Sequence, residues 1–96
     1  MLNKLPQLQE AIIYNGESPK DFVDYISSYI ENNYCECLVI DISKLNIVDS
    51  SYISTLCSTK HYIKYPNGSI QWIISSEIIK DFNKDLELGN CSYILR

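Results

Sequence analysis

Apolar positions along this chain follow two rhythms, short runs that suit strands and longer stretches with one face in every three or four residues that suit helices. Ala11-Ile12-Ile13-Tyr14 predicts a short strand ended by Asn15-Gly16. Ser18-Pro19-Lys20-Asp21 then has the form of a helix start, with Ser18 as cap, Pro19 at the first helical position and Asp21 facing the positive end of the dipole. Phe22, Val23, Tyr25, Ile26, Tyr29 and Ile30 give that helix a broad apolar stripe, and it stops near Asn32-Asn33. Leu38-Val39-Ile40-Asp41-Ile42 is apolar except for one acid, which predicts a central strand buried on both faces.

A second apolar piece, Leu45 to Val48, leads into Asp49-Ser50-Ser51. Beyond it Ile53, Leu56, Cys57, Lys60 and Ile63 recur at helical spacing, so the triplet is expected at a helix N-terminus. Pro66-Asn67-Gly68 is a turn, and Ser69 to Ser75 is a strand with Ile70, Trp72 and Ile74 on one face. Ser75 and Ser76 offer caps for a third helix bearing Ile78, Ile79, Phe82 and Leu86, which ends before Gly89; Ser92 to Leu95 forms the last strand. Residues 1–9 carry little pattern and read as an irregular arm. Strands alternating with helices predict one α/β domain over residues 1–96, its sheet mostly parallel and joined by right-handed crossovers.

Leu38 to Ser43, a short linker, and Ile47-Val48-Asp49-Ser50-Ser51 before a helix resemble the STAS domain of bacterial anti-sigma factor antagonists. The resemblance implies a mixed, mostly parallel sheet of about four strands, with three helices packed largely on one face. It also implies that Ser50 is the serine phosphorylated by a cognate anti-sigma factor and serine kinase. Tyr52 stands where the family usually has a glycine. Gly16-Glu17 resembles the family's Gly-Glu pair before the first helix, without the aspartate that often follows it. The expected partner-binding set is therefore Gly16, Glu17, Asp49, Ser50, Ser51 and Tyr52.

Each of these residues also has a plainer reading. Ser and Asp are common helix caps, and Gly16 can simply turn the chain while Glu17 stays in solvent. A phosphate on Ser50 adds nearly two negative charges beside Asp49, a repulsion of ~1–3 kcal/mol at a few ångströms. That is roughly ten- to hundredfold in affinity, enough to switch docking without refolding.

Composition narrows the partners. The net charge is -4 with no basic run, against nucleic-acid binding and against anionic lipid. The four cysteines form no disulfide or zinc pattern: Cys35-Glu36-Cys37 lacks the two-residue spacer, and His61, expected at the surface or core margin, is the single histidine. Cys57 lies on an apolar stripe. No metal, cofactor or catalytic constellation is expected, and most of the tyrosines suit the core margin. The start has no apolar stretch of signal-peptide length and no run spans a membrane, so a cytoplasmic location is expected; the two glycosylation patterns, at Asn67 and Asn90, are discounted on that ground. The leading functional expectation is a regulatory module switched at Ser50. One alternative is a non-catalytic STAS subunit of a larger assembly, as in lipid-transport ABC systems. The other is an enzyme or small-ligand carrier, for which phosphate-cradling glycines are missing with only three glycines in the chain.

Overall fold

A computed structural model describes residues 11–83 and 90–96. In chain order these form β1 (Ile12–Ile13), α1 (Pro19–Asn32), β2 (Cys37–Asp41), α2 (Ile47–Lys64), β3 (Ser69–Ile74), α3 (Glu77–Asn83) and β4 (Cys91–Leu95). The expected arm over residues 1–9, the Phe82 side chain and the expected run of α3 through Leu86 lie outside what is described.

The four strands stand in the order β1-β2-β3-β4, and every neighbouring pair is parallel. The α/β class holds, whereas the mixed character implied by the STAS resemblance is not seen among the described residues. An order that never reverses, joined by right-handed crossovers, puts all three helices on one face of the sheet. Leu38, Ile40, Ile70, Trp72, Cys91 and Tyr93 are buried toward the helices, while on the other face Val39 and Gln71 are half-buried, Ser92 is exposed and Ile73 alone among these is buried. The expectation that β2 is buried on both faces is corrected, because no described helix covers its second side.

α1 forms as its sequence dictates. Ser18 Oγ accepts the Asp21 N–H at 3.1 Å, Pro19 opens the first turn, and Phe22, Ile26 and Ile30, four residues apart, bury one stripe. The helix ends where the Asn33 N–H returns to Tyr29 O at 3.1 Å. Two glycines do specific work. Gly16 takes φ +98° in the loop after β1, and a Cβ on Gly68 would collide with the Glu36 carbonyl beside which β3 begins. Trp72 on β3 is fully buried and sits at the centre of the core, in register with Ile40 on one side and Tyr93 on the other.

Candidate functional site

Parallel strands all end at the same edge, so the loops after β1 and β2, the β3–α3 junction and Arg96 gather there. Asp41 closes β2 at this edge. Burial pushes its carboxyl up, but bonds from the Ser43 hydroxyl (2.6 Å) and Ser43 N–H (2.9 Å), with Arg96 at 3.6 Å, outweigh that and hold it below the ordinary carboxylate value. The acid of the central strand therefore fixes the turn into α2.

α2 begins at Ile47, three residues earlier than Ser50. Asn46 is its cap: Asn46 Oδ1 accepts the Asp49 N–H at 2.8 Å and Asn46 Nδ2 donates to Asp49 Oδ2 at 3.3 Å. The expected helix start at Asp49-Ser50-Ser51 is thus corrected, and Leu45 to Val48 is a loop and first turn instead of a separate apolar piece. Asp49 partners the cap. Ser50 lies one position further in and is wholly buried, its Oγ without a hydrogen-bond partner among the described residues. Ser51 is half-buried with its Oγ in the same condition, and Tyr52 is exposed.

Gly16 is exposed and Glu17 half-buried, its carbonyl accepting the Tyr14 hydroxyl. No hydrogen bond or ion pair among the described residues joins this pair to Asp49, Ser50, Ser51 or Tyr52. At the start of α1 the Lys20 ammonium bonds Asp24 at 3.1 Å, which raises its pKa.

The decisive feature of this region is that α2 is inverted. Its sheet-facing side carries Ser50, Ser54, Ser58 and His61 among Ile53 and Cys57, all buried. Its solvent-facing side carries Val48, Tyr52, Leu56, Tyr62 and Ile63, all exposed, Val48 at 71% and Ile63 at 77%. No charged residue occurs between Asp49 and Lys60. α1 shows the ordinary arrangement, with Lys20, Asp21, Asp24, Ser28 and Glu31 outside.

The buried polar side of α2 is almost fully paired. Ser54 Oγ and the Tyr93 hydroxyl share a bond of 2.9 Å; Ser58 Oγ accepts the Trp72 indole N–H at 2.8 Å and donates to Cys91 Sγ at 3.3 Å. His61 Nε2 meets Cys35 O at 2.8 Å and its Nδ1 meets Asn90 Nδ2 at 3.1 Å. The expected margin position of His61 is corrected: it is wholly buried, which is tolerable because both ring nitrogens are paired, with Cys35 O and Asn90 Nδ2. Sequence reasoning missed this seam. Its one local signal is the four-residue spacing of Ser50, Ser54 and Ser58, which reads as polar surface when taken alone.

Neither ring nitrogen of His61 is available to a hydroxyl, and burial pushes the Cys57 thiol up to about 12, so neither of these two buried side chains is set up as a base or nucleophile. Among the described residues no group of three His, Cys, Asp or Glu could hold a metal ion. The depression beside β1 is lined by Ile12, Ile13, Asn15, Glu17, Phe22 and Tyr25, with Glu17 its one carboxylate among the described residues. Among the described residues the strand order never reverses, so the crevice at which open α/β sheets usually hold ligands is not formed by them. No helix among the described residues is long and apolar enough to cross a membrane.

The chain matches no family model, no curated protein and no solved structure.

Proposed function

We propose that this chain is a non-catalytic docking module of the anti-sigma factor antagonist kind, working in the cytoplasm and presenting the outward face of α2 to a protein partner. The observation that carries this reading is the inversion of α2. Charged side chains at positions 48, 52, 56 and 63 would leave the fold undisturbed, so the apolar ones there answer to something outside it. Full burial of an aliphatic side chain of this size contributes about 1.5–3 kcal/mol, and three of these with a tyrosine on one helix face are enough for a specific contact. Following the resemblance of the β2–α2 segment, the partner is an anti-sigma factor with serine kinase activity, and α2 is the element it grips.

Ser50 bears on how the contact is controlled. A kinase must reach Oγ, and here Oγ faces the core. That favours the second reading, in which the module is a constitutive subunit of an assembly and Ser50 is never modified. Phosphorylation at Ser50 requires the first turns of α2 to lift from the sheet.

The test is capture of partners from the organism's own extract with tagged wild type and a Leu56→Glu variant, with Ser50 mapped for phosphate. The docking reading expects a defined protein on the wild type that the variant loses. A kinase-like ATPase with phosphate on Ser50 in the unbound pool supports the switch, and a stable assembly with Ser50 unmodified supports the constitutive subunit. Equal capture by both proteins overturns the assignment of α2.

A further inference from the structure

At the end of the molecule opposite the α2 N-terminus, His61 joins three segments distant in sequence: α2 itself, the loop before β2 through Cys35, and the start of β4 through Asn90. Donor and acceptor counting fixes the state of this joint. A carbonyl oxygen only accepts, so Nε2 carries the hydrogen that bonds Cys35 O. In a neutral ring Nδ1 then has only a lone pair, and Asn90 must turn its NH2 toward it, as it does. The consequence falls on Asn90 Oδ1, which is buried and has no hydrogen-bond partner among the described residues.

A buried amide with one end paired and the other idle has a second use. We propose that Asn90 is a two-position latch for the charge state of His61, presenting Nδ2 to the neutral ring and, after a half-turn of its amide, Oδ1 to the Nδ1–H of the protonated ring. In both positions every ring nitrogen is bonded. Protonation without the half-turn would set Nδ1–H against the amide hydrogens, two donors face to face in a buried site. The latch thus makes the junction of α2, the pre-β2 loop and β4 responsive to acid, and it stands independently of the docking reading.

The surroundings are compatible with a cation. From the loop before β2, the Glu36 carboxylate acts on the ring, while the Cys35 thiol in the same loop is pushed up by burial and stays neutral. On its own helix the Lys60 ammonium pairs with Glu31 and Lys64 is tied to the Ile30 and Glu31 carbonyls of α1. The Tyr65 ring lies 5.2 Å away, tilted by 40°. From the β3 and β4 side the facing group is the neutral Asn90 amide, with the neighbouring Cys91 thiol engaged by Ser58. Burial lowers the pKa of His61, so the charged form is reached only under acid.

The experiment is a pH titration of the full chain, labelled with nitrogen-15, from pH 8 to pH 5. At pH 8 the ring should be the Nε2–H tautomer, and the ring nitrogens and the Asn90 side-chain NH2 should shift together with one midpoint. An Asn90→Asp variant offers an acceptor in either position and should raise that midpoint by about one to three pH units, the usual effect of an adjacent opposite charge. An Asn90 amide that stays silent while His61 titrates, global unfolding before His61 titrates, or an unchanged midpoint in Asn90→Asp each overturns the latch.

Discussion

The Trp72 indole N–H donates to Ser58 Oγ at 2.8 Å across the interface of β3 and α2, both side chains being buried. One hydroxyl thereby satisfies the largest core side chain and passes its own hydrogen to Cys91. Ser58→Ala leaves the indole N–H unpaired in the core and is expected to lower stability by about 1–3 kcal/mol. Urea unfolding followed by the fluorescence of Trp72, the single tryptophan, reads both the loss and the change in ring environment. An unchanged midpoint would mean that the bond does not form in solution.

Ser50 gives the opposite expectation. Its buried hydroxyl has no partner among the described residues, so Ser50→Ala removes an unsatisfied group and places a better helix former in α2. The variant should be more stable by roughly 1 kcal/mol. Ser50→Asp buries an unpaired charge at the same point and should destabilise by several kcal/mol. Thermal unfolding of the two variants separates a core serine from a surface switch, since at a surface both changes would be nearly silent.

The outward face of α2 should respond in binding and not in stability. Leu56→Lys and Ile63→Lys replace exposed side chains and are expected to move unfolding by no more than about 0.5 kcal/mol. Partner affinity should fall at least tenfold, about 1.4 kcal/mol, as measured by titration calorimetry with the purified partner. Ile53→Lys, four residues from fully buried Cys57 on the inner face, is the contrasting control and should unfold the chain.

The thiols can be ranked from their surroundings. Cys37 is exposed; Cys35, Cys57 and Cys91 are buried, and burial pushes Cys35 up and Cys57 to about 12. An aromatic disulfide reagent at pH 8 should therefore label Cys37 rapidly and the other three only as the chain opens. Fast labelling of Cys57 would show that α2 lifts from the sheet on its own, the same motion that phosphorylation of Ser50 requires.

Element order was legible because each strand run and the Ser18-Pro19 start are local signals, and α1 follows them residue for residue. α2 defeats the same logic for a physical reason. Periodicity assumes that apolar faces turn inward, so it groups Leu56 and Ile63 with Ile53 and Cys57 and detaches Leu45 to Val48 from the helix that Asn46 caps. The partners that make Ser54, Ser58 and His61 tolerable inside are Tyr93, Trp72, Cys91, Cys35 and Asn90, 14 to 39 positions away. Such pairings leave no trace in a window of neighbouring residues. The candidate site suffers the same way: Asp49 and Ser50 are adjacent in sequence, yet one serves the cap and the other the core.

Acid should act on this fold in two stages set by opposite kinds of group. His61 has its folded pKa lowered, chiefly by burial, so the unfolded chain takes the proton first. Its contribution is complete above the unfolded value of about 6.5 and is lost as pH falls from there toward the folded value. Asp41 also has a lowered folded pKa, against its own burial, through Ser43 and Arg96. For a carboxylate the contribution is present above the unfolded value near 3.9 and disappears as pH falls through the folded one. Urea midpoints measured from pH 8 to pH 3 should thus decline first below about pH 6.5 and again below about pH 4. Ser43→Ala should weaken the second decline while leaving the first in place, because it removes the 2.6 Å hydroxyl bond that helps hold Asp41 ionised. A single decline confined to the carboxylate range would mean that His61 carries the same proton affinity folded and unfolded, which its wholly buried position between Cys35 and Asn90 opposes.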